Sequence, residues 1–273
     1  MIEESRRILL AGCVVQARRE GERLIAVDGR EVPIDEAVHL PPVEPSKILC
    51  VHLNYRSRAQ ELKTVPPPAP NYFQKPVSCL NAHGGTVLRP RGCRYLNYEG
   101  EIAIVIGRTA RDVRIEDAPQ YIAGYTLAND FALHDFRDAD RGAMLRVKGG
   151  DTLGVVGPGL VRGWQPADQL LRTRVNGRVV QEASLGDMLF DMAYLVADLA
   201  RTMTLLPGDL ILSGTPANSR PVEPGDVVEV EAQGLGLLRS FIGEGPPVSA
   251  QCGWAPSASD KVLGVALGEA LRE

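Results

Sequence analysis

Short apolar runs broken by turn residues set the pattern of this chain. Ile48-Leu49-Cys50-Val51, Ile102 to Ile106 and Leu210-Ile211-Leu212 are brief and apolar, which predicts buried strands. Gly124 to Ala128 is another such run; Asn129-Asp130 interrupts it before Phe131-Ala132-Leu133. Val227-Val228-Glu229-Val230-Glu231 reads as a further strand. Near the N-terminus, Ala11 to Gln16 and Arg23 to Val27 are strand-like, with Asp28-Gly29 as a turn. Helical spacing is rarer. Leu189, Met192, Ala193, Val196, Leu199, Ala200 and Met203 predict a helix over 187–206, stopped by Pro207-Gly208-Asp209. A short helix is expected over 115–122 with Pro119 near its first turn, and a terminal helix over 257–273 with Ser259 or Asp260 as N-cap. No βαβ rhythm or repeat is present, so the expectation is an α+β fold of mixed or antiparallel sheets with a few outer helices. Pro41-Pro42-Val43-Glu44-Pro45 reads as a linker. It divides a small β-rich N-terminal domain, 1–45, from a main domain, 46–245, with a C-terminal extension over 246–273. Pro66 to Pro70 is a stiff polyproline loop, either a surface connector or a lid or dimer contact.

The polar interruptions carry the candidate chemistry. In Tyr98-Glu99-Gly100-Glu101, running into the Ile102 strand, period two places Glu99 and Glu101 on one face. Two adjacent carboxylates at the mouth of a buried strand repel, and a hard divalent cation such as Mg²⁺ neutralises them. Asp130 adds a third carboxylate. The plainer alternative is a solvated strand end. Lys148, Thr215 and Gln181 also sit in apolar or glycine-rich surroundings. Their plainer readings are a salt bridge of Lys148 with Asp151, a turn at Gly214-Thr215-Pro216, and a glutamine that satisfies backbone groups. His52 and His83 read as structural histidines, and the apolar stripe from Leu189 to Met203 as core.

Composition narrows the function. Lysine plus arginine is 30 and aspartate plus glutamate 34, a net charge of −4, which argues against nucleic acid or an anionic membrane as partner. No apolar run approaches the ~20 residues of a membrane helix. The first residues, with two acids, make a poor secretion signal. The 5 cysteines are odd in number and lack Cys-x-x-Cys, which fits reduced thiols and a cytoplasmic location.

In order along the chain stand Lys75-Pro76; Tyr98-Glu99-Gly100-Glu101; Glu116-Asp117-Ala118; Gly124-Tyr125; Asn129-Asp130; Lys148 with Asp151; Val175-Asn176-Gly177 and Gln181; Leu206-Pro207-Gly208-Asp209; Gly214-Thr215-Pro216; and Pro224-Gly225-Asp226. Through this ordered set the chain resembles the fumarylacetoacetate hydrolase family over residues 46 to 243. The resemblance implies a β-rich roll with outer helices and a homodimer. It implies Mg²⁺ or Mn²⁺ held by Glu99, Glu101 and Asp130, an active-site lysine at Lys148, and substrate contacts from Thr215 and Gln181. Leu145-Arg146-Val147-Lys148, Ile122 to Asp130 and Asn54-Tyr55-Arg56-Ser57-Arg58 are most similar to one branch. That branch is the 5-oxopent-3-ene-1,2,5-tricarboxylate decarboxylase / 2-hydroxyhepta-2,4-diene-1,7-dioate isomerase of homoprotocatechuate catabolism. The implied function is metal-dependent decarboxylation or isomerisation of a 2-oxo (2-enol) di- or tricarboxylate through a metal-stabilised enolate.

Two positions depart from the family pattern. Hydrolytic members carry Asn-Tyr-x-x-His-x-x-Glu, whose His–Glu pair activates water; here Arg58 stands for the histidine and Glu61 remains. Arginine does not act as a general base near neutrality, but it can clamp a substrate carboxylate bidentately. His134 stands where the family usually has arginine. The alternatives are an acylpyruvate (β-diketone) C–C hydrolase using Glu61 with a partner such as His134, and a non-catalytic paralogue whose metal is structural.

Overall fold

The structure, a computed structural model, describes residues 2–166, 168–249 and 255–268. Strands β1 (Glu3–Leu10), β2 (Cys13–Glu20), β3 (Arg23–Ala26), β4 (Glu31–Pro33) and β5 (Val38–Leu40) come first. They are followed by β6 (Ile48–His52), α1 (Arg56–Glu61), β7 (Asn71–Lys75), β8 (Leu80–Asn81), β9 (Thr86–Arg91), β10 (Leu96–Asn97) and β11 (Gly100–Ile106). The central stretch holds β12 (Ile122–Asp130), β13 (Ala132–Leu133), α2 (Arg137–Asp140), α3 (Leu145–Lys148) and β14 (Gly154–Arg162). Then come β15 (Leu170–Val175), β16 (Arg178–Ser184), α4 (Met192–Thr202), β17 (Leu210–Leu212), β18 (Val227–Ala232), β19 (Gly236–Pro247) and α5 (Asp260–Ala266).

The strands form a 12-stranded sheet, ordered β4-β3-β2-β1-β14-β12-β11-β17-β6-β7 with β5 on β1 and β8 on β14. A five-stranded sheet runs β16-β15-β18-β19-β9, and β10 pairs with β13. Both large sheets are mixed, since β17/β6, β14/β8 and β19/β9 are parallel. The α+β expectation therefore holds.

The apolar runs follow from burial on two sides. Ile102, Ile104 and Ile106 of β11 join a core with Val228 and Val230 of β18 and with Leu195, Val196 and Leu199 of α4. The alternate residues Ala103 and Val105 join a second cluster with Ala128, Leu210 and Leu212. A strand covered on both faces has no reason to alternate, so its sequence is continuously apolar.

Gly100 is where the two sheets come nearest the candidate site. A Cβ there would lie 2.1 Å from Thr173 Oγ1 and 3.3 Å from the Val230 methyls. That contact explains why a glycine separates the two glutamates. We expect Gly100→Ala to destabilise the protein by about 1–3 kcal/mol in urea unfolding through overpacking.

Several elements differ from expectation. The helix predicted over 187–206 begins at Met192, because Asp191 caps it by accepting from Tyr194 N at 2.8 Å. Leu185–Asp187 forms a 3-10 turn instead, and Leu189 N donates to Asn54 O. The strand expected at Ala11 to Gln16 starts at Cys13, since Ala11 and Gly12 form a left-handed turn (φ 50° and 80°). The element over 115–122 is a 3-10 helix, Ile115–Tyr121, with Pro119 inside it. β1 was not expected, because charged residues fill half of it and only Arg6 and Ile8 are buried. Its pairing with β14 makes the N-terminal strands part of the large sheet. The terminal helix is α5, capped by Ser259; residues 269–273 of the expected span lie outside the described residues.

Candidate active site and metal centre

Strand register builds the acidic cluster. Glu101 pairs with Ala128 and Gly100 with Asn129 across the antiparallel β11–β12 ladder. Odd residues of β11 and even residues of β12 therefore share a face, the one carrying Ala103, Val105 and Ala128. Glu99 and Asp130 fall on it at the strand ends, locked by Asp130 N donating to Glu99 O (2.9 Å) and Glu99 N to Asn129 Oδ1 (2.8 Å). Carboxylate oxygens of Glu99, Glu101 and Asp130 lie within 4.8 Å of one another.

Two buried lysines meet this cluster. Lys75, at the end of β7 and 0% exposed, donates from Nζ to Asp130 Oδ1 at 2.5 Å and to Leu153 O at 3.2 Å. Lys148 Nζ donates to Glu99 Oε2 (2.6 Å), Asp130 Oδ2 (2.8 Å) and Asp130 O (2.8 Å). Its partners are thus Glu99 and Asp130, not Asp151. Asp140 positions it by accepting from Arg146 N and Val147 N, fixing the turn that ends at Lys148. Lys75 belongs to one of the matching blocks, but nothing in its local sequence announces that it pairs with Asp130.

If all three were ionised, the carboxylates would outnumber the two ammonium groups by one in the buried site. Burial, together with repulsion from Asp130 and Glu99, pushes the Glu101 carboxyl well above its usual range, although Gly214 N donates to Glu101 Oε2 at 2.7 Å. Burial also opposes the charge on Asp130, but Lys148 and Lys75 outweigh it and hold that carboxyl low. Likewise burial opposes the Lys148 charge, and Asp130 with Glu99 outweighs it, keeping the ammonium protonated. A clustered set of hard oxygen donors that repel one another when ionised fits Mg²⁺ or Mn²⁺. Glu99, Glu101 and Asp130 would hold it.

Gly214 serves this geometry. Its φ of +96° is left-handed, and a Cβ there would meet Asn54 Cβ at 2.7 Å. Beside it, Thr215 lines the chamber that holds the three carboxylates. Gln181 does not; its Oε1 accepts from Gly100 N, while Nε2 donates to Thr215 Oγ1, Pro216 O and Ala217 O. It ties β11 to the Thr215 loop, and the Thr215 hydroxyl proton stays available to a ligand.

Arg58 lines the same chamber, but its guanidinium donates to Glu61. Glu61 is also bound by Arg220 and accepts from Asn218 N. Burial would raise the Glu61 carboxyl, yet Arg58 and Arg220 outweigh it and lower its pKa. A carboxylate gripped by two guanidiniums is a weak proton acceptor.

His134, the departure from the family pattern, lines the chamber too, and so do two residues with no site signature in the sequence, His52 and Arg137. Burial, with Arg137 and Lys148 nearby, drives His52 to about 4 and His134 well below its ordinary value, so both imidazoles are neutral. Val265 of α5 closes the chamber from the C-terminal side. Asn97 Nδ2 latches that helix by donating to Ala266 O at 2.8 Å, and Val262 and Ala266 are fully buried.

The comparisons with known proteins follow the same lines. A protein of Archaeoglobus fulgidus is 40% identical over 221 residues, 81% of this chain and 88% of its own length. The 4-hydroxyphenylacetate degradation bifunctional isomerase/decarboxylase of Salmonella dublin is 40% identical over 194 residues, 70% of this chain. Those residues are 45% of that enzyme, so the chain spans about half of the bifunctional protein. The crystal structure of 5-carboxymethyl-2-hydroxymuconate delta-isomerase from Mycobacterium smegmatis superposes with a TM-score of 0.81 at 35% identity. The match covers 89% of this chain and 99% of that one. The 2-hydroxyhepta-2,4-diene-1,7-dioate isomerase of Mycobacterium marinum gives the same TM-score, 0.81, and identity, 35%. Residues 47–242 match the family described as fumarylacetoacetate (FAA) hydrolase C-terminal, and the chain belongs to that family.

Proposed function

We propose that this chain is a divalent-metal-dependent decarboxylase/isomerase acting on a 2-oxo (2-enol) di- or tricarboxylate of aromatic catabolism, with a small oxo-carboxylate as its partner and a homodimer as its working form. A bound Mg²⁺ or Mn²⁺ supplies Lewis-acid polarisation of a 2-oxo carboxylate. The remaining work falls to the chain's own residues. Lys148, held protonated, places a fixed positive charge at the chamber wall, where it stabilises negative charge that develops on the substrate. Thr215 Oγ1 offers a proton to a substrate oxygen. Val265 and Phe73 line the chamber and keep water from the reacting end.

One observation carries the choice of reaction: the Arg58–Glu61–Arg220 chain of ion pairs. Loss of CO₂ and tautomerisation need no activated water, whereas C–C hydrolysis does. Here the residue in the histidine position is an arginine, and its glutamate partner is neutralised on both sides. The hydrolase reading keeps one supporting observation, a neutral His134 that lines the chamber and whose buried Nε2 has no partner among the described residues. A base whose pKa lies far below the working pH transfers protons inefficiently, which disfavours that reading.

The test is CO₂ release from 5-oxopent-3-ene-1,2,5-tricarboxylate with Mg²⁺ present and after EDTA. Fast release that EDTA abolishes supports the proposal. Pyruvate release from an acylpyruvate, with no CO₂ from the tricarboxylate, would make the chain a hydrolase.

A further inference from the structure

We propose that Arg137, positioned by His134, forms the subsite that binds the distal carboxylate of the substrate; this rests on the functional reading above. The chamber around the three acids has a volume of only ≈ 40 Å³, room for the chelating end of a substrate and little more. It adjoins an outer cavity of ≈ 490 Å³. His52, Leu53, Leu62, Arg137 and Val265 line both. The far end of a longer substrate therefore passes this boundary, and Arg137 is the only cation among the residues that line both spaces.

Arg137 is half-buried and, among the described residues, makes no ion pair with a carboxylate. Its one hydrogen bond runs from Nη1 to His134 Nδ1 at 3.5 Å. That contact sets the His134 tautomer: if Nδ1 accepts, the proton sits on Nε2. His134 is 1% exposed, and Nε2 has no partner. On the Nδ1 side stands a guanidinium that no carboxylate among the described residues pairs. A ligand carboxylate arriving from the outer cavity would pair with the guanidinium, which the contact to His134 Nδ1 holds in place. Arg58 is less suited to the task, because Glu61 already occupies it. Asp135 fixes the turn that presents the pair, accepting from Arg94 N and Tyr95 N at 2.8 Å each.

Two probes that share a chelating end and differ only in a terminal carboxylate test the subsite. These are 2-oxoadipate and 2-oxohexanoate, titrated calorimetrically into the Mn²⁺-loaded protein. The wild-type chain is expected to prefer 2-oxoadipate by about ten- to a hundredfold, the worth of a charge-assisted contact. Arg137→Gln is expected to erase that preference while leaving 2-oxohexanoate affinity within about twofold. Arg137→Lys, which keeps the charge but not the fork, is expected to restore part of it. A preference that survives in Arg137→Gln overturns the subsite, as does a wild-type chain that binds the two probes equally. If the wild-type chain binds neither probe with Mn²⁺ present, the 2-oxo acid reading itself falls and the subsite with it.

Discussion

Asp130→Asn is expected to remove metal affinity and to loosen the fold in the same step. Asp130 is 1% exposed and is the shared partner of Lys75 and Lys148. An asparagine retains one acceptor and no charge, so Lys75, fully buried, loses its only carboxylate partner among the described residues. Breaking a buried pair from one side costs about 3–5 kcal/mol, because the remaining charge stays desolvated. Urea unfolding should show that loss, and calorimetric Mn²⁺ titration should show no binding. Glu99→Gln is expected to weaken metal binding with a smaller stability cost, since Glu99 is 9% exposed and Lys148 keeps Asp130. Equal stability of Asp130→Asn and the wild-type chain would show that the lysines are neutralised by other means.

Lys148→Met carries the second large effect, and it separates catalysis from folding. Methionine fills a similar volume without charge. Glu99 and Asp130 then lose a cation and repel each other more strongly, which metal binding relieves. Mn²⁺ affinity is therefore expected to stay the same or rise, while kcat falls by about 10²–10³, the cost of one pre-placed electrostatic partner. The readout is the pair of Mn²⁺ Kd and kcat measured on one preparation. A Lys148→Met protein that turns over at the wild-type rate would reduce Lys148 to a structural counter-ion.

Much of this organisation was legible in the chain, for a simple reason. Period two along a strand is strict, so Glu99 and Glu101 had to share a face, and the β11–β12 register then brings Asp130 beside them. The α4 stripe was legible too, but its start was not. Leu189 continues the apolar spacing while Asp191 caps the helix two residues later, and a side-chain cap outranks periodicity. β1 escaped because its inward positions include Arg6, which is buried against Glu4 rather than against apolar neighbours.

The cationic part of the site was the least legible. Arg58 reads from its motif as a clamp for a substrate carboxylate, yet it is bound by Glu61, one helical turn away, and Glu61 is shared with the distant Arg220. Arg137 carries no sequence signal, since a lone arginine after Phe136 resembles any helix start. Only the convergence of α2 with α1 and α5 gives it a place at the chamber boundary. The C-terminal helix was foreseen with Ser259 or Asp260 as its cap, but its docking through Asn97 and Val265 depends on contacts far apart in the chain.

Anomalous scattering from crystals grown with Mn²⁺, recorded at the manganese edge, tests the metal centre most directly. One strong peak bounded by the carboxylates of Glu99, Glu101 and Asp130 is expected. A manganese peak elsewhere, with those three carboxylates still tied only to Lys75, Lys148 and Gly214, would contradict it.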